Sequence, residues 1–432
     1  MKKLIFFFIC LIIPYSVYGI GASSYIVMDM NSGRVMEGKN VDNQRLIASI
    51  SKIMTCIVAI EYGDIEGKVK IGDEVIKSYG SGIYVGIGEE LTLDDLLYGL
   101  MLRSGNDAAL AIAHNVGGSL ENFVFLMNEM ASKIGMNNTV FVNPSGLEEN
   151  DGSGNKSTVY DMALLTQYAM KNEHYRRIVG TENIIVKSSM KTYKWFNKNK
   201  LLSSYEYCTG GKTGYTRVAN STLVTYAEKD GLVLCVVVMN ANSPDHWTDT
   251  NKLIDYCFNN YQALNISEHE ASIAETNQLS KGILNTYGEF VTLNKDAYIV
   301  LPNTAEFKDA IFERDDVTED ANTIAALKYS YGGREVGNVE IVATNATVED
   351  LYFSKKDTET AEKESNVVII KPVILIAGGI SVGVLLILIL AIKYVYDNYY
   401  FMRHNREVKK AERERFKIVK VRKRRRGWRG RR

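Results

Sequence analysis

The sequence predicts an exported α/β domain whose antiparallel sheet is assembled from both ends of its segment around a helical insertion. A small all-β domain and a single membrane-spanning helix follow it. Two patterns and one charge asymmetry lead there. Apolar alternation with period two brackets a long run of segments with helical period. Twenty consecutive residues near the C-terminus carry no charge. The formal net charge of zero conceals a split: residues 393–432 hold 17 Lys or Arg against four Asp or Glu, a net of +13, so the body upstream carries −13. At 432 residues, 46% apolar and 24% charged, the chain has enough apolar residues for two or three cores, which excludes disorder, collagen and a disulfide-stapled miniprotein. An acidic body joined to a basic end by an apolar stretch points to one protein on two sides of a membrane, not to a nucleic-acid-binding domain.

Residues 1–19 have the three-part form of a secretory signal peptide: Lys2 and Lys3, ten apolar residues from Leu4 to Ile13, then Pro14 and the small or compact Val17 and Gly19. Ten residues cannot span roughly 30 Å of hydrocarbon as a helix. Residues 373–392 can, with Lys371 and Lys393 as flanks and Tyr394, Tyr396, Tyr399 and Tyr400 at the interface. The positive-inside rule then places the basic tail 393–432 in the cytoplasm and everything from residue 20 to the span outside. The tail reads as a stop-transfer anchor touching anionic lipid.

Within the exported part, residues 24–29 and 34–40 read as a hairpin around Asn31-Ser32-Gly33. Residues 49–62 are apolar on nearly every face, as in a buried helix. Residues 91–103, 107–115, 120–134 and 160–171 are amphipathic at helical spacing. Strands return at 183–187, 221–227 and 232–239, and 246–261 is a closing helix. These elements make one domain over residues 20–265. Residues 268–355 form a second, β-rich unit, in which Leu327, Tyr329 and Tyr331 alternate up to Gly332-Gly333 and Val339 and Ile341 continue beyond it. Residues 356–372, nearly devoid of apolar side chains over much of their length, form a stalk.

Cys10 lies in the signal. Cys56, Cys208, Cys235 and Cys257 form no C-x-x-C pair, and the five histidines are scattered, so no metal site is expected. Cys56, Cys235 and Cys257 sit in apolar segments and read as free core thiols, with one disulfide left open.

Three short motifs carry candidate chemistry. In Ser49-Ile50-Ser51-Lys52 the lysine follows the serine by three residues, so on a helix ammonium and hydroxyl share a face. A lysine beside an apolar helix and near other cations can be neutral at pH 7 and deprotonate the serine. Ser104-Gly105-Asn106, at the join of two helices, supplies a relaying hydroxyl and an amide for a substrate carbonyl. Lys212-Thr213-Gly214, at the start of the strand segment leading to 221–227, offers a cation and hydroxyl on a strand edge and a glycine permitting close approach. Each has an innocent reading alone, and two have decoys. Ser188-Ser189-Met190-Lys191 repeats the first spacing, and Ser153-Gly154-Asn155 repeats the second in what reads as a surface loop. The ordered triple, with Ser-x-Asn 55 residues after Ser49 and Lys-Thr-Gly 108 after that, is what distinguishes the set.

That triple, with the flanking runs Ala48-Ser49-Ile50-Ser51-Lys52-Ile53-Met54-Thr55 and Met101-Leu102-Arg103-Ser104-Gly105-Asn106-Asp107-Ala108-Ala109, with Asn143-Pro144-Ser145-Gly146-Leu147, Tyr160-Asp161-Met162-Ala163 and residues 197–202 and 211–216, resembles the serine-type D-alanyl-D-alanine carboxypeptidases, the low-molecular-mass penicillin-binding proteins. The likeness covers residues 20–262. It implies a transpeptidase-like (β-lactamase-like) domain, with Ser49 as acylated nucleophile, Lys52 as its base, Ser104 as proton relay and Asn106 as substrate positioner. Lys212 tunes the site and assists the leaving amine, Thr213 touches the substrate carboxylate, and the backbone N–H groups of Ser49 and Tyr215 form an oxyanion hole beside Gly214. Implied partners are peptidoglycan stem peptides ending in D-Ala-D-Ala, β-lactams as inhibitors, and the cytoplasmic membrane through 373–392. No cofactor and no nucleic acid is implied. The family's usual arginine after the last sheet strand is missing from residues 240–248, with His246 and Arg217 as candidate replacements. Two alternatives remain: a membrane-anchored sensor of peptidoglycan or β-lactam with weak or no turnover, and a class A-like β-lactamase using Glu148 or Glu149.

Overall fold

Five strands form the central antiparallel sheet: β1 (Ser24–Asp29), β2 (Val35–Lys39), β3 (Cys208–Thr216), β4 (Asn220–Lys229) and β5 (Leu232–Ala241), in the order β2-β1-β5-β4-β3. The computed structural model describes residues 19–148, 151–273, 291–315 and 323–343. Residues 1–18 of the expected signal, the stalk, the span and the tail lie outside them. Among the described residues no helix is long and apolar enough to cross a membrane.

β1 pairs with β5 from Ser24↔Met239 to Asp29↔Leu234, so the first and last strands of the domain meet at the centre of the sheet. Both faces are covered, which is why these two strands read as nearly unbroken apolar runs. Ile26, Met28, Cys235, Val237 and Met239 face the helical insertion. Val27, Leu234, Val236 and Val238 pack on the other face against Leu253, Ile254 and Cys257 of the closing helix, Asp245–Asn260.

The insertion contains α1 (Lys52–Tyr62), α2 (Leu93–Arg103), α3 (Asn106–Gly117), α4 (Leu120–Ile134), α5 (Val159–Met170) and α6 (Glu173–Gly180). Their starts are fixed by local chemistry. Thr92 and Asp95 make a reciprocal capping box at α2, and Ser119, Thr158 and Asn172 cap α4, α5 and α6 through side-chain oxygens. The segment expected as one helix over 49–62 is two elements: a 3₁₀ turn, Ala48–Ser51, leads into α1. Residues 90–92 pair as a strand with Lys68–Lys70 instead of starting α2. α6 was not expected, because only Tyr175, Ile178 and Val179 of its eight residues are buried. β3 carries the strand edge expected at Lys212-Thr213-Gly214, but it starts earlier, at Cys208, and a turn separates it from β4. Its glycines argue against a strand, yet it pairs along nearly its full length with β4 and forms one edge of the sheet.

Beyond the closing helix, Tyr261–Asn265 pairs with Tyr298–Pro302, and Val291–Leu293, Arg334–Ala343, Thr323–Tyr331 and Ile311–Asp315 form a four-stranded sheet. Leu327, Tyr329, Val339 and Ile341 are in its core. A short helix, Ile266–Ile273, follows Tyr261–Asn265 directly. Tyr298 donates its hydroxyl proton to the buried Asp29 Oδ1 at 2.9 Å, and Arg34 Nη1 donates to the Val300 carbonyl at 2.6 Å, tying the β-rich part to the rim of the central sheet. Cys56, Cys208, Cys235 and Cys257 are free, buried thiols.

Candidate active site

Ser49 lies on the 3₁₀ turn, half-buried, between the sheet and the insertion. Its position is over-determined. Ala48 before it takes φ +48°, a left-handed conformation costly for a residue with a Cβ. Ser51 Oγ donates to Ala48 O at 2.8 Å, and Thr222 Oγ1 donates to Ile47 O at 3.1 Å from β4. Gly146 backs onto the same carbonyl so closely that a Cβ there would sit 1.9 Å from Ala48 O. Gly214 of β3 approaches from the opposite side, where a Cβ would come within 2.8 Å of the Ser49 amide nitrogen and 3.1 Å of that of Ile50. The sequence suggested that this glycine admits a ligand. In the fold it admits the serine turn itself.

Lys52, on the first residue of α1, is fully buried. Its Nζ donates to Ser49 Oγ at 3.2 Å, to Asn106 Oδ1 at 2.7 Å and to the Ser145 carbonyl at 2.5 Å. Burial, then the ammonium groups of Lys212 and Lys198, hold its pKa well below the ordinary lysine value, with Asp107 opposing them. An amine held like this can accept a proton from a neighbouring hydroxyl near neutral pH.

Ser104 caps α2 with φ +60°, and this left-handed residue turns the chain so that Asn106 can start α3. Lys212 Nζ donates to Ser104 Oγ at 3.1 Å and to Thr213 O at 2.6 Å, from a side chain 1% exposed. Burial, and secondarily the Lys198 charge, bring its pKa down to about 7. Asn106 donates through Nδ2 to Tyr79 O at 2.6 Å while its Oδ1 accepts a hydrogen bond from Lys52 Nζ, so it joins the amine to the rim loop. Thr213 is half-buried on β3, and Tyr215, 63% exposed, stands at the mouth. The structure thus gathers Ser49, Lys52, Ser104, Asn106, Lys212 and Gly214 into one pocket, with Thr213 and Tyr215 along its β3 wall.

Some participants carried no assigned role in the sequence reading. The Ser145 carbonyl that receives Lys52 sits in a loop knotted by Asn143, whose Oδ1 accepts from the N–H groups of Ser145 and Gly146 at 3.2 and 2.7 Å. Asp107 holds the rim loop by accepting from Ile83 N and Tyr84 N at 3.0 and 2.6 Å. Lys198 donates to Ser81 Oγ at 2.8 Å, and its backbone N–H bonds to Leu102 O at 3.0 Å. The run 197–202 marked that segment without showing that its lysine would approach two others.

The decoys separate. Ser188 and Lys191 belong to an exposed hairpin turn, where Ser188 Oγ donates to Lys191 O at 3.1 Å and Lys191 Nζ donates to Tyr84 O at 2.7 Å. Asn155 of the second decoy is not on the surface as expected. It is 2% exposed and locks the Asn143 loop by accepting from Val142 N and Asn143 N. Of the two candidates for the missing arginine, Arg217 is exposed in the β3–β4 turn, and His246 is buried with no hydrogen-bond partner for Nδ1. Burial lowers the His246 pKa.

An antiparallel sheet with a helical insertion, and a serine–lysine pocket where the two meet, constitute a DD-transpeptidase-like fold of the penicillin-binding kind. Solved structures agree. A D-alanyl-D-alanine carboxypeptidase from Mycobacterium tuberculosis H37Rv aligns with a TM-score of 0.54 at 29% identity, covering 57% of this chain and 94% of its own. The Streptomyces K15 DD-transpeptidase aligns with a TM-score of 0.53 at 32% identity, covering 56% and 98%. The family model described as D-alanyl-D-alanine carboxypeptidase matches residues 14–243, and the chain belongs to that family of serine peptidases. Among curated relatives, the carboxypeptidase DacF of Bacillus subtilis is 34% identical over 269 residues, or 60% of this chain and 68% of its own length.

Proposed function

We propose that this chain hydrolyses the terminal D-Ala-D-Ala bond of peptidoglycan stem peptides through an acyl-enzyme on Ser49. The observation that carries the reading is the fully buried Lys52 amine 3.2 Å from Ser49 Oγ. Neutral Lys52 takes the Ser49 proton as the oxygen attacks the penultimate D-Ala carbonyl. The N–H groups of Ser49 and Tyr215 receive the developing oxyanion, each such donor being worth ~10²–10³ in rate. Lys212 and Ser104, hydrogen-bonded to each other, relay that proton from Lys52 to the leaving amine, which leaves Lys52 neutral again, while Thr213 contacts the terminal carboxylate and Asn106 positions the peptide. Terminal D-alanine leaves, and water then attacks the ester, its proton passing to Lys52 and on to Ser49 Oγ as the shortened peptide departs. These residues suffice for the cycle without a cofactor. β-Lactams acylate the same serine.

The same reading places the domain outside the cytoplasmic membrane, exported by residues 1–19 and anchored by 373–392 with the basic tail inside. The signal pattern and the positive-inside asymmetry support it.

Incubating the protein with diacetyl-L-Lys-D-Ala-D-Ala and assaying free D-alanine tests the assignment. Release is expected from wild type and Ser188→Ala and not from Ser49→Ala. Release surviving in Ser49→Ala would remove Ser49 as nucleophile. Penicillin capture without any D-alanine release would favour the sensor, for which the missing arginine in 240–248 speaks.

A further inference from the structure

The residue after Asn143-Pro144-Ser145-Gly146-Leu147 reaches across the mouth of the pocket. Glu148 accepts a hydrogen bond through Oε1 from Thr216 Oγ1 at the end of β3, and its carbonyl accepts from the Tyr79 hydroxyl at 3.0 Å. Its carboxylate is only half-buried, and no Lys or Arg among the described residues forms an ion pair with it. The pocket lysines Lys52, Lys198 and Lys212 bond to Asn106, Ser81 and Ser104 instead.

Strand register shows what this carboxylate faces when substrate is present, given the carboxypeptidase reading above. β3 pairs on one side only, with β4. A peptide added antiparallel to its free edge, with the attacked carbonyl at Tyr215, lays its C-terminal residue toward Gly214 and Thr213 and runs back along the strand. The residue preceding D-Ala-D-Ala then falls directly opposite Thr216, and directly opposed residues on neighbouring strands place L side chains on the same face. Lys212, Gly214 and Thr216 share the face turned to Ser49 by alternation, without a bulge between them. Glu148 meets that face at Thr216.

We propose that Glu148 is a specificity-determining residue that selects peptides bearing an ammonium group on the side chain of the residue before D-Ala-D-Ala. The carboxylate, held by Thr216 and lacking a protein cation, is the acceptor.

Three peptides of one length test this on the full-length protein: Nα-acetyl-L-Lys-D-Ala-D-Ala with a free ε-amine, its Nε-acetyl form and its Nε-succinyl form. The wild type prefers the free amine over the Nε-acetyl form by about fivefold in kcat/KM, mostly through KM, as one half-exposed ion pair supplies. The ratio falls to about one in Glu148→Gln, which keeps an acceptor for Thr216, as expected for loss of charge alone. In Glu148→Lys the order reverses in favour of the succinyl peptide, a result that mere loosening of the loop does not produce. A wild-type ratio near one with both peptides hydrolysed, or a ratio unchanged in both variants, overturns the assignment. Hydrolysis of none of the peptides overturns the carboxypeptidase reading, and this inference with it.

Discussion

Gly214 of the edge strand and Ser49 of the 3₁₀ turn touch backbone to backbone: a methyl group on the glycine would lie 2.8 Å from the serine amide nitrogen and 2.4 Å from Thr222 Oγ1. The glycine lies within a paired strand and has no positive φ, so the constraint is space, not conformation. Gly214→Ala should fold, since the strand remains paired, while pushing the serine turn off the strand edge. The expected loss in rate of acylation by a fluorescent penicillin is about 10²-fold or more, the scale of a misplaced oxyanion donor. A melting curve within a few degrees of wild type, read alongside, separates displacement from unfolding.

Three amines share the pocket, and their mutual repulsion predicts a pH profile. Lys198 lowers the pKa of both Lys52 and Lys212, is itself lowered by burial and by Arg103, and is opposed at Lys52 by Asp107. Lys52 works as a base when neutral, so activity falls as pH drops through its pKa. Removing a positive charge raises that pKa, and the acid limb moves to higher pH. Lys198→Gln should therefore shift the acid limb of kcat/KM upward, whereas Lys198→Arg, which keeps the charge, should leave it near the wild-type position. Equal behaviour of the two variants would assign Lys198 a tethering role through Ser81 alone.

The parts of this site legible in the sequence are the side chains whose chemistry is fixed by local spacing. Ser49 and Lys52 are one turn apart, and any helical or 3₁₀ start brings them together. The same spacing at Ser188 and Lys191 fails because a hairpin turn, not a helix, carries it, and the pairing of the flanking segments Asn183–Lys187 and Thr192–Phe196 decides that. The Ser145 carbonyl was hidden because a backbone acceptor has no residue-type mark. Asn155, read as part of a surface loop from its polar neighbours, is buried because its carboxamide satisfies the backbone of the Asn143 loop. The strand edge at Lys212-Thr213-Gly214 was legible, but the full extent of Cys208–Thr216 was obscured by glycines that weaken β propensity, and those glycines are there because Val224 O, Ser49 N and other backbone atoms crowd them.

Lys212 carries a stability cost that can be measured. Its folded-state pKa of about 7 lies below the value of 10.5 for an unhindered lysine. Between those limits the unfolded chain binds the extra proton, so this residue makes stability rise with pH from about 7 to about 10.5, at ~1.4 kcal/mol per unit of pKa difference in total. Below that window the full cost is present. Lys212→Met, which fills similar space without charge, should raise the melting temperature at pH 7 while abolishing turnover. The difference between variant and wild type should shrink as the pH approaches 10. A difference that does not change with pH would show that burial of the amine is not its source.

Two glycines of the same conformation offer the sharpest test of how the catalytic lysine is held. Gly146 and Gly152 take φ of +78° and +81°, so alanine at either position meets the same backbone penalty of about 1–2 kcal/mol. Their surroundings differ. A Cβ on Gly152 meets nothing within 4 Å, whereas one on Gly146 would sit 1.9 Å from Ala48 O and 2.9 Å from Ser51 Oγ. Gly146→Ala must therefore displace the turn that carries Ser49, the adjacent Ser145 carbonyl that accepts from Lys52, or both. Urea unfolding should show Gly152→Ala costing about 1 kcal/mol with penicillin acylation unchanged, and Gly146→Ala costing at least ~3 kcal/mol with acylation lost. If both variants acylated at the wild-type rate, the loop from Asn143 to Leu147 would have no part in positioning Lys52.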